Sequence, residues 1–252
     1  MPRAEAPRHA TAFSLAVVCE GPADLRTATQ LADCLLCAEI DWFDSDTLPL
    51  HRTWCGHDPA ATYLPWREVH HRARERGIRA HGHFGGEPGA PDAHAARLAL
   101  LLLASLNPQP SAALLIRDSD GQPERHQGLK QARANRSWPF ATVIGLAHPK
   151  RECWVLAAFE PGTQDEETAL EEARRALGFD PRRRAHELSA AKVGARRNAK
   201  EVLQALIGSD PEREARCWQG IDLPKLEQRG KRSGLAAFLT ELRERLVPLF
   251  RP

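Results

Sequence analysis

Three short apolar runs, 13–19, 112–116 and 140–147, each stop abruptly at a polar turn, and this pattern constrains the fold more than any other feature. The first run ends at Glu20-Gly21-Pro22, after which Leu25, Ala28, Leu31, Ala32 and Leu35 recur at the period of an amphipathic helix. The second, Ala112-Ala113-Leu114-Leu115-Ile116, stops at Asp118-Ser119-Asp120-Gly121 and continues from Pro123 into a polar helix near Asn135. The third breaks at His148-Pro149 and gives way to 152–159, which has the composition of a short buried helix. Repeated strand-turn-helix units bury their apolar strands in a mainly parallel sheet covered on both faces. The expected class is therefore α/β, with a Rossmann-like sheet and flanking helices.

Residues 41–91 depart from this pattern. They are rich in His, Trp, Gly and Arg, contain Pro65 and Gly85-Gly86, and read as an insertion or an elaborated crossover before the second acidic motif. Asp92 is placed to cap the segment 95–106, which is apolar nearly all round and so expected to be a buried helix. Beyond Thr163 the chain reads as helical, with an acidic segment through Glu172, a basic turn at Arg182-Arg183-Arg184, a helix near 197–207 and a last helix from Gly234. The organisation expected is a flexible tail over 1–12, a core over 13–160 and a helical C-terminal lobe over 161–252 packed on it.

No run approaches the roughly 20 apolar residues that span a bilayer, and 1–12 lacks the apolar stretch of a signal peptide. A cytoplasmic protein without membrane contact is expected. The six cysteines form no CxxC pair and are expected to be reduced thiols, mostly in the core. With 35 Lys+Arg against 33 Asp+Glu, net charge does not identify a polyanionic partner, so local clusters must decide it.

In open α/β sheets, ligands bind beyond the carboxyl ends of the strands. Glu20 and Asp118 both terminate strands, so residues nearly a hundred positions apart are expected to meet there. Glu20, Asp118 and Asp120 offer the oxygen donors that suit a hard cation such as Mg²⁺, with a phosphodiester supplying further ligands. Gly21, without a Cβ, leaves room for a phosphate. The same acids also make good turn formers and caps: Asp-Ser-Asp-Gly is turn chemistry, Asp24 precedes a helix as an N-cap would, and Glu152 suits a helix N-terminus.

Val18-Cys19-Glu20-Gly21-Pro22-Ala23-Asp24 resembles the Glu-Gly-x-x-Asp signature that opens TOPRIM domains, especially those of OLD-family nucleases, and Asp118-Ser119-Asp120 resembles their Asp-x-Asp motif. The segment His148-Pro149-Lys150-Arg151-Glu152-Cys153-Trp154 resembles one found in small bacterial TOPRIM-like families. The resemblance covers roughly 13–159. It implies that Glu20 is a metal ligand or general base, that Asp118 and Asp120 bind Mg²⁺ or Mn²⁺, and that Asp24 and Glu152 complete a second metal position. The sole tyrosine, Tyr63, lies in the Pro-flanked insertion and no zinc ribbon occurs, which argues against topoisomerase or primase activity. No Walker A motif occurs, so any ATPase is expected on a separate chain.

Lys192, Arg196, Arg197 and Lys200 recur at spacings expected to place several on one side of a helix, and Arg229, Lys231 and Arg232 form a second basic cluster. Such patches bind phosphates without reading sequence, and otherwise are solvated faces. Arg196, Arg197, Lys200 and Lys150 are the expected nucleic-acid contacts, and Lys192 or Lys200 the transition-state stabiliser. Cys55, His57, His70, His71, His81 and His83 fit no standard zinc spacing and are expected not to form a tetrahedral site. The expected activity is a Mg²⁺- or Mn²⁺-dependent nuclease acting on DNA or RNA, as a bacterial defence effector by family analogy. The alternative is a non-catalytic TOPRIM-like subunit that binds an ATPase or nucleic acid; a phosphatase of the Asp-x-Asp-x-Thr type is disfavoured by Gln122.

Overall fold

The computed structural model describes residues 12–58 and 60–251. Of the tail expected over 1–12, residues 1–11 lie outside the described residues. The elements run β1 (Phe13–Cys19), α1 (Pro22–Glu39), α2 (Leu48–His51), β2 (Arg52–Cys55), β3 (Leu64–Pro65), α3 (Val69–Glu75), β4 (His83–Phe84), β5 (Glu87–Pro88), α4 (Ala93–Ala104) and β6 (Ala112–Asp118). There follow α5 (Arg125–Ala134), β7 (Ala141–Ala147), α6 (Glu152–Ala158), α7 (Gln164–Leu177), α8 (Ala199–Ile207), α9 (Pro211–Arg216), α10 (Leu223–Gly230) and α11 (Leu235–Arg245).

The chain forms a mixed α/β structure around a parallel sheet of order β2-β1-β6-β7, with β3 pairing the far end of β1. Alternation along the strands divides the core. Leu15, Val17, Leu114, Ile116 and Val143 point to one face, covered by α1, α6, α7, α8, α10 and α11, while Ala16, Val18, Ala113, Leu115 and Ile144 point to the other, covered by α3, α4 and α5. Both faces are apolar because both are buried. Trp154 of α6 stacks on Phe238 of α11 with ring centroids 5.0 Å apart, and both are fully buried, so the C-terminal helices share the core of the sheet.

The segment 41–91 follows the crossover alternative and is more than an insertion: β2 and β3 extend the sheet beside β1, and only the β4–β5 hairpin stands apart. The hairpin is held by Arg97 of α4, which is buried, donates to the carbonyls of His81 and His83 and to Asn135, and lies over the Phe84 ring. No helix among the described residues is long and apolar enough to cross a membrane.

Candidate functional site

Glu20 directly follows β1 and Asp118 closes β6, and these strands are adjacent and parallel with Val18 opposite Leu115. Both acidic motifs therefore stand at the carboxyl end of the sheet, as expected.

Asp118 continues the alternation of Leu114 and Ile116 toward the α1/α6 face. Its Oδ1 accepts the backbone N–H of Arg151 at 2.8 Å. Burial, together with the negative charges of Asp24, Glu152 and Glu20, pushes its carboxyl up to about 8. Asp24 is the third residue of α1, and its Oδ2 accepts the Gly21 N–H at 2.9 Å, so it closes the helix N-terminus from within the first turn. Burial raises the Asp24 carboxyl too, against the opposing charge of Arg151. Glu152 opens α6.

Arg151 lies among these acids. Its Nη1 donates to Glu214 Oε1 at 2.6 Å and Thr27 Oγ1 at 2.9 Å, its Nε is 3.8 Å from Asp24, and its Nη2 is 3.7 Å from Glu152. Burial disfavours the charged guanidinium, but Glu214, Glu152 and Asp24 outweigh it and hold the proton. The cluster is thus several carboxylates around one internal cation.

Glu20 leans toward the other face of the sheet, with Arg117. Arg117 donates to Glu20 Oε1 at 2.9 Å and to Asp92 Oδ2 at 3.0 Å, and lies over the Trp66 ring. Asp92 does not cap α4: it sits at φ 65° and makes no side-chain cap bond, and its carboxylate instead pairs Arg117 and, at 3.4 Å, Arg125. Asp120 turns away from Asp118. At φ 47°, followed by Gly121 at φ 78°, it forms a left-handed turn whose N–H bonds the Pro149 carbonyl, and its carboxylate faces Arg125 at 3.2 Å and Lys150 at 3.9 Å.

The convergence of Glu20, Asp118 and Asp120 on one cation is therefore corrected: the group about Asp118 consists of Asp24, Glu152, Glu20 and Arg151. Among the described residues, no three His, Cys, Asp or Glu side chains gather closely enough to hold one ion. The donors around Asp118 are all carboxylate oxygens, the type a hard cation takes, and the charged form of Asp118 is disfavoured first by burial and then by repulsion from Asp24, Glu152 and Glu20. A Cβ added at Gly21 would meet nothing within 4 Å, so the chain leaves space beside the cluster.

The expected basic helical stripe does not form. Lys192, Arg196 and Arg197 lie on an exposed loop closed by a Ser189–Asn198 bridge, because Gly194 turns it at φ 76° and Asn198 caps α8 by accepting the N–H of Lys200 and Glu201. Lys200, in the first turn of α8, lines a cleft of about 190 Å³ with Arg26, Arg151 and Glu152. Arg229 donates to the Ala157 carbonyl and pairs Glu160, so it is spent on packing. The residues weighed as zinc ligands are engaged separately: Cys55 bonds Ser14 Oγ, His57 is buried beside Asp58, His71 pairs Glu75 and His70 lies against His94.

Sequence reasoning missed Arg117, Arg151, Asp92 and Glu214 as members of the site. Arg117 and Arg151 adjoin motif acids and carried that signal; Glu214, 63 residues from Arg151, carried none. No protein-family model, curated protein or solved structure matches the chain.

Proposed function

We propose that this chain is a Mg²⁺- or Mn²⁺-dependent phosphodiesterase acting on DNA or RNA, with a TOPRIM-like core. The observation that carries the reading is the placement of Asp118 at the carboxyl end of a parallel sheet among Asp24, Glu152 and Glu20, where burial and these acids raise its carboxyl. The order of the motifs, Glu20-Gly21 after the first strand and Asp118-x-Asp120 after a neighbouring one, supports the TOPRIM comparison. When bound, the cation polarises the phosphoryl group and offsets charge on the attacking and leaving oxygens.

The protein's own groups divide the remaining work. Asp118, Asp24 and Glu152, the less exposed acids of the cluster, are the ligands this reading assigns, and an ion would have to draw them together. Glu20 is more exposed, at 40% of its side chain against 16% for Asp24 and 17% for Glu152, and is the group able to take a proton from the attacking water. Asp120 is a positioning residue that holds Arg125 and Lys150. Arg26 and Lys200 border the cleft at Glu152 and are suited to the phosphate charge; Lys192, Arg196 and Arg197 are assigned to the outer phosphate backbone. A defence role and a separate ATPase partner rest on the family resemblance alone.

A second reading has its own support. Arg151 already neutralises part of the cluster and Arg117 binds Glu20, which suits a non-catalytic subunit that needs no ion. Incubating the protein with Mg²⁺ or Mn²⁺ and plasmid, single-stranded DNA and tRNA, beside Asp118→Asn, separates the two. Metal-dependent cleavage lost in the variant supports the enzyme; no cleavage of any substrate supports the subunit.

A further inference from the structure

A second feature opens at the same end of the sheet. β7 is an edge strand, and between α5 and α11 it floors a groove of about 580 Å³. Leu146 and Ala237, over the buried Ile144, give the floor an apolar surface, and His126, Lys130, His148, Lys231 and Arg232 line its walls. Lys130, Lys231 and Arg232 are exposed and, among the described residues, form no ion pair, whereas most arginines near the acidic cluster are paired. Unspent charge on an apolar groove is what a ligand with both phosphates and flat bases complements.

Three further observations point the same way. α11 begins at Gly234 with no side-chain cap, so the free N–H groups of its first turn, and the positive end of its dipole, border the groove. Gly234 is required there: it sits at φ 81°, and a Cβ would come within 2.0 Å of the Leu146 carbonyl oxygen. The groove is also joined to the candidate site, since His148 Nδ1 and Ser119 Oγ are hydrogen-bonded at 2.8 Å and Ser119 stands between Asp118 and Asp120. Two acids line the groove. Glu241 is neutralised by Arg133 and Arg245, and Glu244 alone opposes a polyanion.

From this geometry we infer that the groove between α5 and α11 binds single-stranded nucleic acid, with Lys231, Arg232 and Lys130 on its phosphates, and leads the strand past His148 to the acidic cluster. The inference deepens the nuclease reading and rests on it for direction only, because binding in the groove needs no cation. A duplex keeps its bases stacked inside, whereas a single strand can lay them on the apolar floor.

The test is binding of labelled DNA and RNA oligonucleotides of about 12 nucleotides, single-stranded and duplex, in EDTA at several salt concentrations. Single strands are expected to bind more tightly than duplex. Lys231→Ala with Arg232→Ala is expected to weaken binding about tenfold and flatten the salt slope by roughly one to one and a half, at about 0.7 per lost single-strand contact. Glu244→Gln is expected to tighten binding about threefold by removing the opposing charge. Unchanged affinity in both variants, with thermal stability retained, overturns the inference, as does preference for duplex or no binding by the wild type. Cleavage that persists at the wild-type rate in the double variant overturns the groove but leaves the nuclease reading standing. Binding that depends on the groove without any metal-dependent cleavage does the reverse.

Discussion

Arg151 donates its backbone N–H to Asp118 Oδ1 at 2.8 Å while its guanidinium is committed to Glu214 at 2.6 Å. One residue thus joins the end of β6 to α9, and through Thr27 to α1. The backbone bond survives any side-chain substitution except proline; the guanidinium bonds do not. Replacing Arg151 by Met should leave Glu214, Glu152 and Asp24 facing one another in a buried space, at a cost of about 3–5 kcal/mol in urea unfolding. Adding Glu214→Gln should recover part of that loss. If Arg151→Met proves neutral, the guanidinium is not the internal counterion.

The stability of the metal-free protein should depend on pH through Asp118. Its folded pKa, about 8, is raised above the value of an unfolded aspartate, so the folded state holds the proton more tightly. The stabilisation is complete below about pH 4 and is lost as pH rises toward 8. Asp118→Asn keeps an oxygen acceptor for the Arg151 N–H but cannot ionise. The variant should be more stable than the wild type at pH 8 by about 1–3 kcal/mol, or roughly 2–4 °C in Tm for each kcal/mol. Thermal melts of both proteins across this range check the sign; a wild-type profile parallel to that of the variant would contradict it.

Asp92 offers a separation between capping and ion pairing. Asn caps helices as well as Asp does, so Asp92→Asn would be neutral if Asp92 were the cap of α4. Because its carboxylate instead supports Arg117 and Arg125, the substitution should cost about 1–2 kcal/mol with helix content unchanged by circular dichroism.

Much of the fold was legible in the sequence because continuous apolar runs that stop at polar turns and period-3.6 helices leave direct signatures. The bounds of β1, β6, β7, α1 and α6 follow the runs closely. β2 and β3 were hidden because Arg52–Cys55 and Leu64–Pro65, four and two residues long, are too short to show an apolar run. The placement of Glu20 and Asp118 was legible from strand ends, but their partners were not. Whether Asp120 points toward Asp118 depends on a left-handed turn set by Gly121 and the Pro149 carbonyl, a tertiary contact that spacing does not encode. The basic residues before Lys200 had helical spacing, yet Gly194 and the Asn198 cap made them a loop.

The central claim is that the carboxylates around Asp118 hold a divalent cation, and calorimetric titration of Mn²⁺ into metal-free protein at pH 7 tests it most directly. Because Asp118 must lose its proton to become a ligand, saturable binding should release up to one proton per ion, read from the heats in two buffers of different ionisation enthalpy. In Asp118→Asn the affinity should fall by at least about tenfold and the proton release should disappear. No saturable binding by the wild type, or equal affinity in the variant, would contradict a cation at this site.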